Sequence, residues 1–125
     1  MRKIGTGQNC LIFQFIGGIY MDLTIKRLQE YLQEKYTALK PKELKNHERY
    51  FLKLVEEVGE LAEVIRKDKR MTGDNIKGTI EEEISDVLYY VAMIANTYDI
   101  DLETAFRLKE QLNKKRYRNN FKIDK

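Results

Sequence analysis

Glu56-Glu57-Val58-Gly59-Glu60 and Glu83-Ile84-Ser85-Asp86 each set carboxylates three residues apart. On a helix that spacing makes neighbours, so Glu57 pairs with Glu60 and Glu83 with Asp86. At about 100° per residue, the first acid of each pair falls at one margin of an apolar stripe and the second further out on the same side. Glu57 stands to Val58 and Leu61 as Glu83 stands to Ile84 and Val87. Like offsets on antiparallel helices point to one side of the pair, so all four acids should converge. Converging anions repel, and a divalent cation is their natural compensation. Oxygen ligands without a nearby histidine or cysteine suit Mg²⁺ or Mn²⁺ rather than zinc. The plainer alternative is two solvated faces, since acids also favour the first turn of a helix. Glu56 and Glu63 face further outward. Gly59, unfavourable in a helix interior by about 1 kcal/mol against alanine, marks a close helix approach, access for a ligand, or nothing.

A second group lies near the carboxyl end. Lys109, Asn113 and Arg116 continue at i, i+4, i+7 a line begun by Leu102 and Ala105. A stripe apolar at one end and polar at the other describes a helix that leaves the core to line a cleft, or simply an exposed helix end. Lysine and arginine neutralise phosphate oxygens, and asparagine offers a donor and an acceptor to a base or sugar edge.

Four helices must hold these residues. The spacing predicts the first over 23–36, with Ile25, Leu28 and Leu32 inward and Asp22 as cap. The second, over 46–69, carries Phe51, Leu54, Val58, Leu61 and Ile65 as its stripe. Thr72, Gly73, Asp74, Asn75 and Gly78 break it. Thr79 followed by Glu82 reads as a capping box for the third, with Asp74 as an earlier candidate cap. Its stripe is Ile84, Val87, Leu88, Val91, Ile94, Ala95 and Tyr98. The fourth runs from an Asp101 cap to about Arg116. Short connections make the last three helices antiparallel neighbours, and the expected fold is an all-α, four-helix antiparallel bundle.

Composition agrees with one domain. The 125 residues are 34% charged and 42% hydrophobic, which suits a soluble globular chain. The single cysteine, Cys10, allows no internal disulfide, and a cytoplasmic setting is expected. The net charge of +3 is uneven: residues 107–125 hold eight basic and two acidic groups. That run is short and lacks stacking aromatics, so nucleic acid is not an expected partner. Arg2 and Lys3 precede an apolar run, Leu11 to Tyr20, that is broken by Gln14 and Gly17-Gly18 and too short to span a membrane. Residues 1–20 read as an appendage or a misassigned start, and the domain as 21–125. Broad apolar stripes and the aromatics Tyr89 and Tyr90, expected to be exposed, predict a homodimer or homotetramer, with part of the site crossing the interface.

Taken in order, Glu56, Glu57 and Glu60 (EExxE), Glu83 and Asp86 (ExxD), then Lys109, Asn113 and Arg116 resemble the all-α nucleoside triphosphate pyrophosphohydrolases of the MazG type. The phrases LVEEVGELAEVI, EEEISDVLYYVAMIA and IDLETAF extend the likeness over residues 22–118. The resemblance implies Mg²⁺ held at Glu57, Glu60, Glu83 and Asp86, with Lys109, Asn113 and Arg116 on the substrate. It implies cleavage of a (deoxy)nucleoside triphosphate between the α- and β-phosphates, giving a monophosphate and pyrophosphate. A carboxylate of the Glu56/Glu57 pair is the candidate base for the attacking water. Phosphoribosyl-ATP hydrolysis and a metal-free helical interaction module are the competing readings.

Overall fold

The computed structural model describes residues 22–124 and is all-helical. Helix α1 spans Ile25–Leu39, α2 His47–Arg66, α3 Ile80–Thr97 and α4 Leu102–Tyr117, with one 3-10 turn at Pro41–Glu43. The proposed appendage, residues 1–20, lies outside the described residues.

The caps are set by local chemistry. Thr24, not Asp22, caps α1: its hydroxyl accepts from the Arg27 amide at 3.0 Å. Asn46, Thr79 and Asp101 cap the other three helices through their side-chain oxygens. The capping box at α3 is skewed by one residue, because the Glu82 carboxylate accepts from the Gly78 amide rather than from that of Thr79.

Contacts run antiparallel throughout. Between α1 and α3, Gln29 meets Asn96 and Tyr36 meets Tyr89. Between α2 and α3, Lys53 lies over the Tyr90 ring while Glu60 faces Glu83. Helix α3 is thus central, with α1 and α2 against it. The core is small: Leu32, Tyr50, Ala92 and Met93, with Leu28, Tyr36, Tyr89, Tyr90, Ile94 and Leu102 around it. Tyr89 and Tyr90 are therefore half-buried, not the exposed aromatics expected. Tyr50 donates its hydroxyl to the Glu43 carbonyl at 2.7 Å, and burial pushes the phenols of Tyr36 and Tyr50 up to about 12.

The expected apolar stripes are displaced. On α2 the buried line is Tyr50, Glu57 and Val64. The expected core residues Phe51, Val58 and Ile65 are 57%, 50% and 54% exposed. The helix is rolled by roughly one residue's angle. Its acid margin turns inward and three of the five residues of its apolar stripe turn out. Ile84 and Leu88 on α3, Tyr98 just past its carboxyl end, and Leu108 and Leu112 on α4 are exposed as well, and so is Ile25 on α1.

Helix α4 also departs from expectation: its packing neighbour is α1 rather than α3. The cause is the elbow at 98–101. Asp99 takes a left-handed conformation (φ 54°), and the nearly buried Gln29 amide gathers the elbow to α1. Gln29 donates to Asn96 Oδ1 at 3.0 Å and to the Ile100 carbonyl at 2.7 Å, and accepts from the Leu102 amide at 3.0 Å. Asn96 donates back to the Gln29 carbonyl.

Gln29→Met keeps the length of this side chain but strips its donors and acceptor, leaving the elbow's polar groups without partners. It is expected to cost about 1–3 kcal/mol, read as a lower urea midpoint with an unchanged slope.

Candidate metal centre

Glu81, Glu82 and Glu83 point three ways from the first turn of α3. Arg70 takes Glu81 in an ion pair at 2.7 Å and holds its carboxyl down to about 2. Glu81 also accepts from the Met71 amide, and Glu82 closes onto Gly78. Glu83 turns inward against α2, where only 7% of it remains accessible. Gly78, at φ 72°, makes the approach to this turn in a conformation that other residues adopt at a cost.

Across the gap α2 presents Glu57, also 7% exposed, and Glu60, one turn on and open to water. Carboxylate oxygens of Glu57, Glu60 and Glu83 lie within 4.8 Å of one another, and so do those of Glu82, Glu83 and Asp86. The two sets share Glu83. Glu57 Oε2 and Glu83 Oε2 are buried without a hydrogen-bond partner among the described residues. Such oxygens are expensive to strand, and a hard divalent cation is the partner their chemistry fits.

The electrostatics carry the same stress. The Glu57 carboxyl is raised to about 7, first by burial, then by the adjacent carboxylate of Glu60, then by Asp86 and Glu83. Glu83 is raised by burial and by the charge of Glu60. Asp86 is raised by burial and by Glu82 and Glu60.

The remaining predicted site residues fall elsewhere. Glu56 is exposed, and both of its oxygens are held by Lys53 at 3.2 Å. Glu63 is turned away, lowered by Lys67 and Arg66. Lys109, Asn113 and Arg116 ride on α4, which packs on α1, so within one chain they are not brought to the acids. Asn113 donates to Glu110 at 2.8 Å, and the Arg116 guanidinium lies 5.5 Å from the Tyr117 ring centroid. Gly59 marks no close approach among the described residues, because a β-carbon there would meet none of their atoms within 4 Å. Sequence reasoning missed two neighbours of the centre. Lys53 reaches Glu57 Oε1 at 3.9 Å and lies 5.9 Å from the Tyr90 ring centroid. Its i, i+4 spacing to Glu57 was the available signal. Glu82 was read only as a cap residue.

The fold defines the class: an all-α protein whose antiparallel helices bring together a cluster of carboxylates that could hold a metal ion. The chain belongs to the MazG nucleotide pyrophosphohydrolase domain family, whose model matches residues 45–121. Among solved structures, it is similar to the crystal structure of an amino-terminally tagged iMazG from Vibrio DAT 722. That match has a TM-score of 0.64 and 43% identity, over 78% of this chain and all of that one. The carboxy-terminally tagged form of the same protein matches at TM-score 0.62 and 44% identity, over 74% of this chain and 99% of that one. An uncharacterized protein of Bacillus subtilis (strain 168), YpjD, is 43% identical over 58 residues, which are 42% of this chain. The match spans half of YpjD's length.

Because Glu57, Glu83 and Asp86 have raised values, folding must hold protons that the unfolded chain releases at lower pH. Without divalent metal, the contribution of Glu57 is favourable in acid and is lost as pH rises from about 4.5 to about 7. The melting temperature is expected several degrees lower at pH 8 than at pH 6. Millimolar Mg²⁺ should remove most of that difference, and a scanning-calorimetry series with and without EDTA measures both.

Proposed function

We propose that this chain is a Mg²⁺-dependent nucleoside triphosphate pyrophosphohydrolase, with Mn²⁺ also suited to the site. It opens the bond between the α- and β-phosphates to release a nucleoside monophosphate and pyrophosphate. The observation that carries the reading is the pair of buried, unpartnered oxygens on Glu57 and Glu83, set among further carboxylates from both helices. Membership of the MazG family supports the same chemistry.

In this reading Glu57, Glu60, Glu83 and Asp86 hold the metal, within the domain 21–125. When bound, the ion withdraws charge from phosphate oxygens and acidifies water. The chain's own part is to place the phosphates and to take a proton. The Glu56/Glu57 pair is the acceptor, and Glu56, at the open rim, is the member not committed to the ligand set. Lys109, Asn113 and Arg116 bind the triphosphate and sugar. Because α4 lies on α1, they serve this role best at the site of a second copy. A homodimer or homotetramer fits the exposed apolar faces of α2 and α3. No described helix is long and apolar enough to cross a membrane. The proposed setting is cytoplasmic, and no nucleic-acid partner is invoked.

Two tests follow from this reading. Incubated with Mg²⁺ and a panel of ribo- and deoxyribonucleoside triphosphates, the protein should yield monophosphate and pyrophosphate from at least one. Glu83→Gln and Asp86→Asn should each lower that turnover by orders of magnitude, and metal-free stability should hold or rise as repulsion is relieved. Glu63→Gln should be silent. Full activity in both site variants would remove the four-acid site, and turnover of phosphoribosyl-ATP alone would redirect the assignment. Light scattering at micromolar concentration should give a dimer or tetramer, and Phe51→Glu should reduce that mass. A monomeric wild type would rule the assembly out.

A further inference from the structure

A triphosphate carries several negative charges, and the centre it must approach is lined by Glu57, Glu60, Glu82, Glu83 and Asp86. Among the described ion pairs, only that of Lys53 reaches this cluster, with Nζ at 3.9 Å from Glu57 Oε1. The same ammonium is 3.2 Å from both oxygens of Glu56 and 5.9 Å from the centroid of the Tyr90 ring. Its stem is partly covered, and 36% of the side chain remains accessible. A hollow of about 400 Å³ opens beside it, lined by Asn46, Glu48, Arg49, Leu52, Lys53 and Glu56. Lys53 therefore stands between the acids and open space large enough for phosphate groups.

We propose that Lys53 is a substrate contact of this site: it exchanges its carboxylate partners for a non-bridging phosphate oxygen of the metal-bound triphosphate and afterwards of pyrophosphate. This rests on the reading of the acids as a metal-assisted triphosphate site. A divalent ion at the acids competes with Lys53 for Glu57, and the ammonium is left as the cation within reach of whatever that ion brings in. Lysine suits the exchange, being a point charge on a flexible stem with three donors and able to change partners without a fixed planar geometry. The carboxylates of Glu48 and Glu56 also line the hollow and oppose an anion there. Of the two cations that line the hollow, Arg49 is paired with Glu43 at 3.5 Å and Lys53 is the one that also reaches the acids, so removal of the ammonium should be felt by phosphate ligands above all.

The contact predicts effects of opposite sign on two ligands. Lys53→Met removes a cation from an acidic cluster, so Mg²⁺ alone should bind as well as before or more tightly. Magnesium pyrophosphate should bind about 10-fold or more weakly, the loss expected for one hydrogen bond to a charged group. Isothermal titration calorimetry on the full chain, with unchanged circular dichroism as control, reads both. KM for the best triphosphate should rise, and Lys53→Arg should recover much of the loss. Wild-type pyrophosphate affinity and KM in Lys53→Met would overturn the contact while leaving the hydrolase reading intact. A parallel loss of Mg²⁺ and pyrophosphate would show that Lys53 merely supports α2. A wild-type protein that binds no Mg²⁺ and hydrolyses no triphosphate would end both readings.

Discussion

Two carboxylates, Glu57 and Glu83, are withheld from water where α2 lies against α3, each with an oxygen that nothing among the described residues satisfies. Burial of like charges side by side is costly in any fold, and much else here accommodates it. Helix α2 is rolled so that its acid margin, not the centre of its apolar stripe, meets α3. The core is displaced towards α1, where Leu32, Tyr50, Ala92 and Met93 close it without help from Phe51 or Val58. Stability and chemistry compete for one helix face, and in the isolated chain the acids have taken it.

The same constraint explains why the sequence was informative in some places and misleading in others. Helix number and the caps at Thr79 and Asp101 were legible because each depends on a few adjacent residues. The convergence of Glu57, Glu60 and Glu83 was legible too, because like offsets on antiparallel helices fix a side before any packing is known. The inward face of α2 was not legible. Periodicity locates an apolar stripe but is silent on whether that stripe meets the chain's own core or remains outside it. Phe51, Val58 and Ile65 follow the core pattern perfectly and are still half exposed or more.

Helix α4 escaped for a different reason. A short connection usually returns a helix along its predecessor. Here the turn is decided by Asp99 in a left-handed conformation and by a glutamine seventy residues upstream of it. Long-range capture of a backbone amide by one side chain leaves no local pattern. Lys53 escaped because an i, i+4 lysine–glutamate pair is ordinary helix decoration. Its meaning comes from what Glu57 faces across the interface.

The amide of Gln29 therefore does more than satisfy itself. It latches an elbow that joins two parts of unlike chemistry: a rigid acidic pair, α2 with α3, and a cationic arm, α4, that leans on α1. Since the arm touches the acidic pair so little, a change in its side chains leaves the packing around the carboxylates undisturbed. The scaffold is modular in its contacts: α2 and α3 hold the carboxylates together, α4 is carried by α1, and Gln29 joins the two parts through the elbow.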